Sequence, residues 1–279
     1  MTSKRSKKPT RTSDKPKLTA KTADKHTLYQ LSVQEPATEV RFISRVFSKL
    51  RGRKPWTVRE DFCGTALFCA EWVKSHRDRR AVGVDIDPGV VRWGIEHNLA
   101  PLGEPGDRIQ ILQQDVLKKV PGKYDVTVAF NFSYWIFRDR ATQIAYFKNV
   151  LRSLNREGVF FLDAYGGFES QQSMEEPRKI EGGFTYVWDQ AEYNPIDHSV
   201  VNHIHFEFRD GTRMRKAFTY EWRFWTLVEL QELLVEAGFK HVKVYWEDSG
   251  DDGEGTGTYR PRKAAENDAA WVAYLVAEV

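Results

Sequence analysis

A chain of 279 residues with 41% apolar and 13% aromatic content can bury a large core. It holds no run of 18 apolar residues, which excludes a membrane-spanning helix and a membrane partner. The net charge of +3 hides an asymmetry: residues 1–25 carry nine Lys/Arg against Asp14 and Asp24, so that segment is +7 and the remainder −4.

Residues 1–25 have almost no large apolar side chains and are expected to form a disordered basic tail, with 26–279 as one domain. Residues 28–50 read as helical from Val40, Ile43, Phe47 and Leu50, with Pro36 separating an opening turn from the main helix. From Thr57 strands and helices alternate: strand 57–62, helix 67–75, strand 81–84, helix 88–98, strands 109–113 and 124–130, helix 140–154 and strand 159–164. That order predicts a parallel sheet covered by helices on both faces. The pattern then changes. Residues 184–193, 200–209 and 213–225 read as strands joined by short turns, an antiparallel roof inserted over 167–225. A helix over 226–237 starts with a Thr226/Glu229 capping box and stops at Gly238. Strands at 241–246 and 271–277 flank a Gly/Asp-rich stretch, 249–268, read as a mobile loop or a lid. The predicted fold class is α/β: a seven-stranded, mostly parallel Rossmann-like sheet with helices on both faces and an inserted antiparallel β roof. Cys63 and Cys69 lie six apart in one segment and cannot staple this fold, which fits a reducing, cytoplasmic setting.

Between the first strand and the next helix runs Val58-Arg59-Glu60-Asp61-Phe62-Cys63-Gly64-Thr65-Ala66. A helix N-terminus there offers free N–H groups and a partial positive charge to a ligand. The string resembles the first motif of class I S-adenosylmethionine-dependent methyltransferases, an acidic strand end followed by a Gly-Cys-Gly-Thr-Gly-like turn. The resemblance spans 28–279 and implies S-adenosyl-L-methionine as cofactor. Its methionine end would lie at Glu60, Phe62, Cys63 and Gly64. Phe62 and Ala66 stand where that family carries its outer glycines, so the turn is expected to avoid positive φ there and to rely on Gly64 for close approach. Asp85 ends the second strand 25 residues after Glu60, where a carboxylate can accept both ribose hydroxyls. The resemblance further implies Ile86 packed on the adenine, Asp115 on its amino group with Val116 beside it, and Asn131 at the tip of the fourth strand. The roof and residues 220–225 are similar to small-molecule N-methyltransferases of the glycine and amino-sugar type, in which a Tyr closes over the cofactor; Tyr29 is the candidate.

Asn131, Tyr134 and Trp135 directly follow the fourth strand and are the candidate catalytic groups; Tyr134 and Trp135 could offer aromatic faces to a cationic amine. His203 and His205 alternate on one roof strand and could supply a base, bind a metal or sit on a solvated face; without a third ligand no metal is assigned. Cys63, near a helix N-terminus, could be an acidic thiol or a packing group. The expected function is methyl transfer to nitrogen or oxygen of a small-molecule acceptor, with a homodimer allowed. The alternative is an RNA, DNA or protein methyltransferase docking through the basic tail; the −4 body argues against nucleic acid.

Overall fold

The computed structural model describes residues 18–250 and 255–279. Most of the basic tail, and with it the docking role of the alternative reading, lies outside the described residues. Residues 18–25 depart from the expected disorder. Ala20 N donates to Thr212 Oγ1 at 3.0 Å, and Asp24 caps helix α1 (Lys25–Val33) by accepting from Thr27 N at 2.8 Å. Helix α2 (Pro36–Arg51) follows, with Pro at its first position and Gly52 ending it in the left-handed region.

The alternating half is as expected in order: β1 (Thr57–Asp61), α3 (Leu67–Lys74), β2 (Arg80–Asp85), α4 (Pro88–Gly94), β3 (Ile109–Gln113), β4 (Tyr124–Ala129), α5 (Arg140–Ser153) and β5 (Leu154–Gly166). A π-turn over Ile95–Leu99 extends α4. The roof is β6 (Met174–Ile180), β7 (Phe184–Tyr193), β8 (Ser199–Phe208) and β9 (Arg213–Arg223); β6 was absent from the sequence reading. Helix α6 (Leu227–Ala237) has the predicted capping box and Gly238 stop. Strands β10 (His241–Ser249), β11 (Gly255–Arg262) and β12 (Trp271–Glu278) close the chain.

The main sheet has eight strands in the order β11-β10-β12-β5-β4-β1-β2-β3, the roof four in the order β6-β7-β8-β9. The eighth strand, β11, lies within the stretch expected to be a loop. Strands β1 to β5 run parallel; β12 pairs antiparallel with β5 and β10, and β10 with β11. One apolar core lies on the α5/α6 face and a second on the α2/α3 face, so helices cover both faces as the parallel pattern demands. A third packs α1 against the roof through Leu28, Ile204 and Phe206. Among the described residues no helix is long and apolar enough to cross a membrane.

Candidate active site

Strand order reverses between β1 and β4, and the turns that leave neighbouring strands on either side diverge to leave a crevice at their carboxyl ends. The turn after β1 is tied to the tip of β2. Cys63 N donates to Val84 O at 3.0 Å, and Gly64 N to Asp85 Oδ2 at 2.8 Å. The other Asp85 oxygen accepts from Asp87 N at 2.9 Å, and Asp85 O accepts from Gln114 N beyond β3 at 3.0 Å. Asp85 thus joins three strand tips. Ile86, next in the chain, is 65% exposed although apolar. The Asp115 carboxylate accepts from Leu117 N at 2.8 Å, with Val116 buried beneath it.

Alternation in β1 sends its charges to opposite faces. Arg59 and Asp61 form a fully buried two-pronged pair (2.7 and 2.9 Å), tied to Ser153 and Tyr146 of α5. Glu60 faces the other way and accepts from Cys69 N of α3 at 3.1 Å. Burial pushes the Glu60 carboxyl up to about 8, and the charges of Asp85 and Asp61 add to the effect. The Cys63 thiol is also driven well up, by burial and by Glu60 and Asp85, which removes the acidic-thiol reading.

The expected avoidance of positive φ in this turn is overturned: Phe62 has φ +56° and Ala66 φ +55°. Phe62 is held by Phe137 and Tyr146, at ring separations of 5.9 and 5.7 Å, and Ala66 is the residue that opens α3. Close approach rests on Gly94 as well as Gly64. A Cβ on Gly94 would stand 2.4 Å from Thr65 O, so α4 lies directly on the turn. Asn98 Nδ2 and Gln30 Nε2 then clamp Thr65 O and Thr65 Oγ1, both at 2.8 Å.

A second left-handed turn follows β4, where Asn131 and Phe132 both have φ +57°. The Asp163 carboxylate, buried at the end of β5, accepts from Asn131 N at 2.8 Å and Phe132 N at 2.9 Å. Burial lifts Asp163 to about 7 against the opposing pull of these two N–H groups. Tyr134 and Trp135 are not where the sequence reading placed them. Both are fully buried behind the crevice: Tyr134 donates its hydroxyl to Asp163 O at 2.7 Å, and Trp135 stacks on Tyr165 at 4.7 Å. Short apolar segments after a strand look alike in sequence whether they face a ligand or the core.

The roof covers a cavity of about 450 Å³, open on one side, over the turn after β4. Asn131, Phe132 and Tyr165 form its floor, and the even-numbered residues Tyr186, Trp188, Ile204, Tyr220 and Trp222 its ceiling. Tyr29 enters from α1, packs on Phe218 at 5.0 Å and shares a hydrogen bond with Tyr220; burial raises its hydroxyl. Because Ile204 faces the cavity, His203 and His205 lie on the opposite side of β8. His203 Nδ1 meets Thr219 Oγ1 at 3.0 Å. His205 Nδ1 accepts from Lys216 N at 2.6 Å, so its proton is on Nε2, which donates to Asp189 Oδ2 at 3.0 Å. That tautomer cannot bind a metal through Nε2, although Glu175, Asp189 and His205 cluster, and Glu175 is paired with Arg213 at 2.7 Å. The general-base reading for these histidines falls with their position.

Sequence reasoning missed Asp163, Glu39 and the acidic wall from β6 and the β10–β11 hairpin. Asp163 did carry a signal: a lone charge near the end of an apolar strand, as at Asp85. Glu39 carried none. It projects from the first turn of α2, where burial and the charges of Asp163 and Glu60 push it up to about 8. The crevice therefore presents acceptors suited to hydroxyl, amino and cationic groups, and the space above Gly64 meets only Val90 Cγ2 at 3.9 Å.

Three solved structures share this architecture. An S-adenosylmethionine-dependent methyltransferase from Clostridium acetobutylicum is 15% identical with a TM-score of 0.68, covering 91% of this chain and 97% of its own. An amino pentose methyltransferase from Micromonospora echinaspora is 11% identical, TM-score 0.63, over 91% and 95%. A sugar N-methyltransferase from Streptoalloteichus sp. is 16% identical, TM-score 0.60, over 99% of each chain. The protein has the fold of these enzymes. No family model matches the sequence, and no curated protein matches it.

Proposed function

We propose that the protein is an S-adenosylmethionine-dependent methyltransferase that methylates nitrogen or oxygen of a small molecule. The observation that carries this is Asp85, which joins the turn after β1 to the tip of β3 at the carboxyl ends of the parallel strands; the aromatic cavity lies beside it, over Asn131 and Phe132. The donor set fits the cofactor. Asp85 would take the ribose hydroxyls and Asp115 the adenine amino group. Ile86, exposed at 65%, would pack on the ring with Val116 beneath. Glu60, Phe62, Cys63 and Gly64 would form the methionine end, and Asn131 and Tyr29 would stand where donor meets acceptor. The bound cofactor supplies a methyl group on a sulfonium.

The chain's own task is to orient the acceptor and exclude water, which an in-line displacement mainly requires. Phe132 and Tyr165 shape the floor; Tyr134 and Trp135 act through them as positioning residues. A roofed cavity of about 450 Å³ and a body of charge −4 favour a small acceptor over a macromolecule. Two of the similar structures are named as acting on an amino pentose or a sugar. Two buried free cysteines fit a reducing cytoplasm. Titration calorimetry with S-adenosylhomocysteine tests the reading. Asp85→Ala is expected to weaken binding by about 1–3 kcal/mol, since it removes a charged acceptor and frees Gly64 N; unchanged affinity would contradict the register.

A further inference from the structure

The cavity has a one-sided charge. Of its twenty lining residues nine are aromatic and three are glutamates, Glu169, Glu176 and Glu247; none is Lys, Arg or His. The glutamates come from three separate parts of the chain: the turn after β5, the roof edge strand β6 and the hairpin strand β10. All three are half-buried. Three other roof glutamates have cationic partners: Glu175 and Glu207 share Arg213 at 2.7 and 3.4 Å, and Glu221 holds Arg138 at 2.8 Å. Glu169, Glu176 and Glu247 have none among the described residues. Among the described residues Glu247 accepts only from Gly257 N at 2.6 Å and Tyr259 Oη at 3.3 Å. Arg178 of β6 stands 5.4 Å over the Tyr186 ring, donates to Ser32 O and does not line the cavity.

We infer that the acceptor carries an organic ammonium group, held in the roofed cavity by Glu176 and Glu247 with Glu169 and the faces of Trp188, Trp222 and Tyr186. This rests on the reading of the cavity as the acceptor site. Three carboxylates in a space partly shielded from water repel any further anion, and a neutral guest leaves their charge uncompensated. A cation relieves that repulsion and gains the electron-rich ring faces. Tyrosine hydroxyls and Gln190 remain to orient the rest of the molecule.

The test uses the full chain saturated with S-adenosylhomocysteine and three probes of one shape: 2-phenylethylamine, 2-phenylethanol and phenylacetate. Binding is followed by the fluorescence of Trp188, Trp222 and Trp271, which line the cavity. The ammonium is expected to bind about tenfold more tightly than the alcohol, with the carboxylate weakest. Glu176→Gln, on an edge strand, should lower the ammonium's affinity about three- to tenfold and leave the alcohol unchanged. Glu247→Gln, which keeps the acceptor for Gly257 N, should do the same, and thermal melts confirm that both variants are folded. Equal binding of all three probes, preference for the carboxylate, silence from all three, or an ammonium preference untouched by both substitutions overturns the inference. If S-adenosylhomocysteine binds and the ammonium preference is absent, only this inference fails. If S-adenosylhomocysteine does not bind, the methyl-transfer reading fails, and the probes still decide the cation preference on the ligand-free protein.

Discussion

Four residues with side chains hold left-handed backbone at the two turns that frame the crevice: Phe62, Ala66, Asn131 and Phe132. Such a conformation costs about 1–2 kcal/mol for an L-residue, so other contacts must hold it. At Ala66 the only side chain is a methyl, and Ala66→Gly is expected to raise stability by about 0.5–1 kcal/mol in urea denaturation. Destabilisation would mean that the buried methyl outweighs the backbone. At Asn131 and Phe132 the restraint is the Asp163 carboxylate, which takes both N–H groups at 2.8 and 2.9 Å. Asp163→Asn turns one acceptor into a donor facing an N–H. We expect a loss of about 1–3 kcal/mol in stability and weaker acceptor binding with S-adenosylhomocysteine affinity less affected, measured by calorimetry on the same preparation. A variant as stable as the parent would show that the turn holds itself.

Elements with an apolar periodicity or a clear cap were legible; the two edge strands that lack one were not. Helix α6 shows the legible case. Thr226 Oγ1 accepts from Glu229 N at 3.2 Å, Glu229 returns the bond to Thr226 N at 3.0 Å, and Gly238 adopts φ +113°. All of this follows from short-range chemistry. Thr226→Ala is expected to cost about 1 kcal/mol by thermal denaturation, and an unchanged melting temperature would mean that packing alone sets the start of α6. Strands β6 and β11 show the opposite case. Their sequences, Met-Glu-Glu-Pro-Arg-Lys-Ile and Gly-Thr-Gly-Thr-Tyr-Arg-Pro-Arg, carry proline and charge and little apolar alternation. Each is the last strand of its sheet, where proline and charge discourage further pairing. Both edges also contribute to the cavity, through Glu176 and Tyr259, so the missed strands concealed part of the acidic wall.

At the scale of the whole molecule, three helices and strands direct carboxyls into one interior: Glu39, Glu60 and Asp163, lifted to about 8, 8 and 7 by burial. In the unfolded chain these groups ionise near their ordinary values of 4.5, 4.5 and 3.8. Between those values and 7–8 the folded state holds more protons than the unfolded one, so their contribution to stability is full at low pH and falls as pH rises through the folded values. The ligand-free protein is expected to melt at lower temperature at about pH 8 than at about pH 5, and Glu39→Gln should flatten that slope. A slope rising with pH, or one unaffected by the substitution, would place these groups in a wetter setting.

The sequence by itself determined the alternation of β1 to β5 with their helices, the antiparallel roof and the acids at the strand tips. Periodicity, caps and turn residues act over a few positions and leave their mark in the string. Only the tertiary structure decided that Phe62 and Ala66 turn left-handed, that Tyr134 and Trp135 lie behind the site, and that His203 and His205 face away from it. It also brought Glu39 within electrostatic reach of Asp163 and Glu60, and Glu176 and Glu247 to one cavity. Those outcomes depend on packing between segments far apart in the chain, and no local pattern records which partner a side chain will meet.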